Sequence, residues 1–330
     1  MAYDMEMSKK NIVFFLTGIT IAVILYLLYL TLSPSQTYTI GYVNPNPTEF
    51  EGAQGFLTNL PALGYVEGQN TTIIRCEAKD KKEIENAIRD MVNRKVDLIF
   101  TMTTPATKMA KEFTRGTGIP VVFILYDAVG SGIVEDLLKP GGNLTGVQLR
   151  GSTAKSLEKL REIAPGAKHI LTPICFDTGA AKRSLADLQK ATVQLGMQLT
   201  VSEVKTLDEL HTTMDSMGQD IDAIFILHTW LVGTNLEPVI GEAVKRKIPV
   251  FSAGHVHFDN GLLYSYGPRN EETGLQAARL ADNILVHRVA PAELPVETSD
   301  FFLGINLKTA EAAGIEIPYN LLQQADFIYR

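Results

Sequence analysis

DLIFTMTTPATKMAKEFTRGTGIPVVFILYDAVGSGIVEDLLKPGGNLTGV, Asp97–Val147, decides the fold, because it alternates strand, polar turn, helix, strand, polar turn, helix, strand. Residues 97–101 and 121–125 are short runs rich in Ile, Val and Phe, the pattern of strands buried on both faces. Between them Ala106, Met109, Ala110 and Phe113 recur at helical spacing, with Pro105 in the first turn and Thr103 or Thr104 as the cap. Such a segment builds a parallel sheet, and the turns after its strands face a ligand crevice. Thr103, Thr104, Tyr126 and Asp127 are therefore candidate binding residues. Each is equally readable as a plain cap or turn residue.

Working outward, the same grammar continues in both directions. Strand 38–44, helix 49–63, strand 72–78 and helix 81–94 precede the segment. Helix 153–164, strand 169–175, helix 180–195, strand 198–203, helix 207–217, strand 223–227, helix 236–247 and strands 249–252 and 262–266 come after it. At 330 residues, 45% hydrophobic and 20% charged, the chain has material for two cores. The expected fold class is α/β, with two doubly wound parallel-sheet lobes.

The net charge is −7, and Asp4, Glu6, Lys9 and Lys10 cancel near the amino terminus, so the acidity belongs to the globular part and disfavours nucleic acid. Cys76 and Cys175 fall in different lobes, where a bridge would have to join two separate cores. Buried free thiols are expected instead. No zinc or iron-sulfur spacing occurs; His255 and His257, with His228, are a weak metal pattern, and no metal or cofactor is expected. The first strand runs into Tyr42-Val43-Asn44-Pro45-Asn46-Pro47 rather than a glycine-rich dinucleotide turn, and no P-loop, G-x-S-x-G or H-E-x-x-H occurs. An enzyme is not expected. Asn143-Leu144-Thr145 formally matches a glycosylation acceptor and is read as the start of a strand.

Residues 12–32 are 21 consecutive uncharged, mostly apolar positions. At ~1.5 Å per residue they span ~31 Å, enough to cross a bilayer. Lys9 and Lys10 precede the run and no Lys or Arg follows until Arg75, which places residues 1–11 in the cytoplasm and the globular part outside the cytoplasmic membrane. Ser33-Pro34-Ser35 is a weak cleavage site, so an uncleaved transmembrane anchor is favoured over a cleaved signal.

The phrases LGYVEGQNTTI (Leu63–Ile73), KPGGNLTGV (Lys139–Val147) and LPVETSDFFLGINLKTAEAAGIEIP (Leu294–Pro318), with the TPA turn at Thr104–Ala106, resemble ABC transporter substrate-binding proteins. More narrowly they resemble the tryptophan/tyrosine-type branch, which has the type I periplasmic-binding fold. The resemblance runs in order from about Tyr38 to Asp326. It implies three crossover strands, near 146–151, 267–270 and 289–296, with 37–148 and 268–293 as lobe one and 149–267 and 294–327 as lobe two.

It further implies a monomer that captures a small organic solute, amino-acid-like or otherwise, by hinge closure and delivers it to an ABC permease and its ATPase subunits. A membrane-anchored ligand sensor acting through a partner chain is the alternative. The ligand residues nominated at strand ends are Asn44, Thr103, Thr104, Tyr126 and Asp127 in lobe one, and Phe176, Asp177, His228, Thr229, Trp230, Ser252 and His255 in lobe two. The start of the helix at Thr104 offers free N–H groups to a ligand carboxylate, and Trp230 offers a stacking wall or a cation-binding face, or is a plain packing residue. Relatives often carry an acidic residue where this chain has His228-Thr229-Trp230 and Ser252-Ala253-Gly254. Asp127 and Asp177 are then the nearest partners for a ligand ammonium group, and a neutral or anionic ligand stays equally open.

Overall fold

The computed structural model describes residues 19–20, 36–45, 51–253 and 261–330. The chain divides into two compact units, residues 1–38 and 39–330, and the second holds both lobes. Of the expected membrane anchor, residues 12–18 and 21–32 lie outside the described residues. Among the described residues no helix is long and apolar enough to cross a membrane.

Lobe one is built on a six-stranded sheet of order β11-β5-β4-β3-β1-β2. Its strands are β1 (Tyr38–Val43), β2 (Thr71–Cys76), β3 (Leu98–Met102), β4 (Val121–Leu125), β5 (Leu144–Gln148) and β11 (Glu297–Thr298). The pairs β1/β3, β3/β4, β4/β5 and β5/β11 are all parallel. Every residue of β3, β4 and β5 is buried, as the unbroken apolar runs require, because helices cover both faces. On one face α1 (Glu51–Asn59) stacks Phe56 on Phe100, with ring centroids 4.1 Å apart. On the other face α2 (Lys81–Asn93) and α3 (Thr104–Phe113) bury Ile84, Ile88, Met91, Ala106 and Ala110 against Val43, Ile99, Val121 and Phe123. Asp80 caps α2 by accepting from the N–H groups of Lys82 and Glu83.

Two expectations for this lobe are corrected. The connection from β4 to β5, residues 126–143, carries no helix. Gly130, Gly132, Pro140, Gly141 and Gly142 break the helical register there, with Gly132, Gly141 and Gly142 at positive φ. The last passage between lobes also lies later than 289–296. Residues 297–298 still pair with β5, and Val296 sits in the lobe-one core with its N–H donating to the Leu137 carbonyl at 2.7 Å.

Lobe two carries a seven-stranded sheet of order β13-β12-β10-β9-β8-β6-β7. Its strands are β6 (His169–Ile174), β7 (Gln198–Glu203), β8 (Ala223–Ile226), β9 (Val250–Ser252), β10 (Tyr264–Pro268), β12 (Phe301–Asn306) and β13 (Phe327–Tyr329). One face packs on α4 (Thr153–Ile163), α5 (Gly179–Gln194), α10 (Leu307–Ala313) and α11 (Tyr319–Gln324). The other packs on α6 (Leu207–Asp215), α7 (Trp230–Gly233) and α8 (Glu237–Arg246). The sheet is parallel within two groups: β12 and β13 run parallel to each other and, through the β12/β10 pair, antiparallel to the other five strands. The chain leaves lobe two at the carboxyl end of β10 and re-enters beside it, so β12 must run the opposite way.

Between those two strands α9 (Asn270–Leu285) returns to lobe one and crosses α1. The chain therefore passes between the sheets three times: after β5, after β10, and at residues 299–300.

Candidate ligand-binding site

The carboxyl ends of β4 in lobe one and of β8 in lobe two are edges at which the two lobes touch. Tyr126, the residue after β4, donates its hydroxyl to Asp187 Oδ2 of α5 at 3.0 Å. The Tyr126 ring lies 4.7 Å from the ring of His228, which follows β8 by two residues, at an interplanar angle of 56°. Lys79, beyond β2, places its Nζ 6.0 Å from the ring centroid of Trp230.

Arg150, in the first passage between lobes, joins these parts. Its Nε and Nη2 donate to Asp187 at 2.8 and 2.6 Å, and its Nη1 donates to Asp127 Oδ2 at 2.9 Å. These contacts raise its already high pKa, the bond to Asp187 being the main cause. Asp127 is buried, and its Oδ1 accepts from the Gly130 N–H at 2.9 Å. A Cβ on Gly130 would stand 2.1 Å from Asp127 Oδ2, so a side chain there would push that carboxylate from its place. Burial, followed by the charge of Asp187, lifts the Tyr126 hydroxyl far above the ordinary phenol range, and it stays protonated. His228 is half-buried by solvent exposure and shielded by the protein around its ring, which pushes it down to about 4, partly opposed by Asp187. It is neutral at pH 7 and offers an aromatic face rather than a charge.

The remaining nominated residues take several positions. Asn44 is buried at the end of β1, its N–H donating to the Cys76 carbonyl at 2.9 Å and its Nδ2 to the Tyr42 hydroxyl at 3.3 Å. Thr103 occupies the cap position of α3 but its side chain makes no capping bond, contrary to the expected cap. Its φ of 79° and ψ of 150° place it in a region costing a non-glycine residue on the order of 1–3 kcal/mol. The surroundings hold it there: its N–H donates to the Ile124 carbonyl at 3.1 Å, and its carbonyl accepts from the Thr107 hydroxyl at 2.7 Å. Thr104 begins α3 and is half-buried.

On lobe two, Asp177 Oδ2 accepts from the N–H groups of Trp230 and Leu231, both at 3.0 Å, so its charge is turned to the start of α7. Thr229 ties β6 to β8 by donating to the Cys175 carbonyl at 2.9 Å and accepting from the Cys175 N–H at 3.1 Å. Phe176 and Trp230 are 38% and 46% exposed, enough surface to cover a solute. Ser252 is buried at the end of β9, and His255 lies outside the described residues. Cys76 and Cys175 are free thiols. Among the described residues no cluster of His, Cys, Asp and Glu can hold a metal ion.

Arg150, Asp187 and Lys79 were not legible as residues of the lobe contact. Asp187 lies inside a helix rather than at a strand end, and only the packing of α5 on the other lobe brings it to Tyr126 and Arg150.

A family model described as ABC transporter substrate binding protein matches residues 44–328. The chain is 26% identical over 259 residues to a tyrosine-binding protein of Clostridioides difficile, covering 77% of this chain and 74% of that protein. It is also similar to the ligand-free, open structure of a substrate binding protein with adhesive properties from Clostridium difficile. That match has 26% identity and a TM-score of 0.74, and covers 89% of this chain and 99% of the other. An ABC domain from Streptococcus pneumonia in complex with L-Trp, 23% identical with a TM-score of 0.76, covers 89% and 100% of the two chains and shares the fold.

Proposed function

This chain belongs to the ABC transporter substrate-binding protein family, and on that premise we propose that it captures an amino-acid-like solute with an aromatic side chain between its lobes. The carrying observation is the meeting of Tyr126 from lobe one with His228 from lobe two, ring to ring at 4.7 Å, on the facing carboxyl edges. A neutral imidazole beside a protonated phenol makes an aromatic surface without net charge, suited to a planar apolar group. Thr103, Thr104, Phe176 and Trp230 lie at the same edges. The similarity to a protein named for tyrosine binding supports the same ligand class.

In this reading a solute that touches both lobes favours the arrangement in which they meet, because a ligand shifts an equilibrium only through contacts that differ between its two states. The loaded chain, a monomer outside the cytoplasmic membrane, then delivers its solute to a permease and ATPase subunits. Residues 12–32 would hold it to that membrane.

A thermal-shift screen of the purified chain tests the ligand class, since binding to the folded state alone raises stability. Amino acids, nucleosides and small carboxylates form the panel. L-Tyrosine, L-tryptophan or a close derivative is expected to give the largest upward shift. A shift confined to nucleosides or to aliphatic carboxylates would refute the aromatic reading.

A further inference from the structure

Asp127 and Asp187 each already hold at least two donors. Asp187 receives Arg150 Nε and Nη2 and the Tyr126 hydroxyl; Asp127 receives the Gly130 N–H and Arg150 Nη1. A second guanidinium stands in the same cluster with less to hold. Arg183, one turn before Asp187 on α5, has its Nε shielded from solvent and, among the described residues, without a hydrogen bond. Asp127 Oδ2 is 3.8 Å from that nitrogen, beyond hydrogen-bond reach and already engaged by Arg150.

The Arg183 side chain as a whole is 24% exposed, so a solute can reach it. Its position is set by packing: both Nη atoms lie against Gly179 at the start of α5, 3.5 Å from where a Cβ would stand. A charged donor shielded from water without an acceptor is costly, and an incoming carboxylate removes that cost. The planar guanidinium fork matches a carboxylate better than any other side chain does. Two aspartates and two arginines sum to zero charge, so an arriving carboxylate meets no uncompensated negative charge.

We propose that Arg183 anchors the carboxylate of the ligand, making it a specificity-determining residue of the cleft. The inference rests on the reading of the chain as a receptor for an amino-acid-like solute and names the group by which that solute is recognised. It moves the carboxylate from the start of α3, at Thr103 and Thr104, to lobe two.

Calorimetric titration of the full-length chain with L-tyrosine, L-tryptophan and their carboxamides tests this, for the native protein, Arg183→Gln and Arg183→Lys. Melting temperatures first establish that both variants are folded. The native chain is expected to prefer acid over amide by about tenfold or more, the worth of a charge-assisted bond. Arg183→Gln lowers acid affinity to that of the amide and leaves amide affinity within about threefold; Arg183→Lys restores part of the preference. Equal affinity of the native chain for acid and amide, or an unchanged preference in a folded Arg183→Gln, overturns the anchor and leaves the receptor reading standing. Binding of neither acid nor amide by the native chain overturns both. The acid-to-amide comparison needs no variant, so a misfolded substitution does not shelter the proposal.

Discussion

The Tyr126 hydroxyl of lobe one donates to Asp187 Oδ2 of lobe two at 3.0 Å, while Arg150 grips both oxygens of the same carboxylate. A single side chain of α5 thus carries the contact between the lobes and the crossover that joins them. Opening the cleft by rotation about the crossovers has to break the tyrosine bond, and need not break the arginine pair.

Tyr126→Phe keeps the ring against His228 and removes that bond. Asp187 retains Arg150, so no carboxylate is stranded, and the loss should be modest, about 1–2 kcal/mol of bias toward the joined lobes. Small-angle scattering of the ligand-free variant should show a larger radius of gyration, and ligand affinity should fall. Identical scattering from the two proteins would remove Tyr126 from the closing contact.

His228 makes stability depend on pH. Its folded value of about 4 lies below the ordinary 6.5, so protons bind the unfolded chain more tightly. Its contribution is complete above pH 6.5 and is lost as pH falls toward 4, by about 3 kcal/mol at most. Urea unfolding at pH 7.5, 5.5 and 4 should show His228→Gln losing less stability over that range than the native chain. Parallel losses in both would show that the imidazole is not the group responsible.

Trp230→Ala separates binding from folding. The backbone N–H of residue 230 is held by Asp177, and the ring is 46% exposed, so stability should change by less than about 1 kcal/mol. Ligand affinity should weaken by about 1 kcal/mol or more, as for an aromatic wall that becomes buried on binding. Unaltered affinity would leave Trp230 a packing residue.

Gly274→Ala tests the crossing of α9 on α1. A Cβ there would stand 2.2 Å from the Gly55 carbonyl carbon and 2.4 Å from Phe56 N, both backbone atoms that no rotamer change can move. Overpacking should cost about 1–3 kcal/mol, or about 2–4 °C of melting temperature per kcal/mol in a domain of this size. Gly241→Ala on α8, where a Cβ meets open space, should be neutral or stabilising. Equal melting temperatures for the two variants would mean the helices separate easily.

Much of the lobe architecture is legible in the sequence because it is local. β4 occupies the same five residues as its apolar run, and β3 is displaced by one from its run. The connection 126–143 reads as helical, since its apolar residues at 133, 134, 137 and 138 mimic helical spacing while the glycines around them set the backbone. The last crossover lies later than the resemblance implies, because the two-residue strand β11 holds the chain in lobe one through its pairing with β5.

Strand ends mark Tyr126, Asp127, His228 and Trp230 as candidate cleft residues, because in a wound sheet that edge is set by chain direction alone. What those residues touch is not set that way. Asp127 and Asp177 look like partners for a ligand ammonium group, yet one is held by Arg150 and the other caps α7.

Most of the strand and helix order, the burial of strands on two faces and the two-core organisation were determined by the sequence itself, since hydrophobic periodicity and turn chemistry act within about ten residues. The antiparallel entry of β12, the Arg150 bridge across 23 and 37 residues, and the approach of Arg183 to Asp127 of the other lobe were decided by tertiary structure. Charges have no periodicity that names their partners: an arginine on a helix face is a solvated residue or a ligand anchor according to what the rest of the chain packs against it.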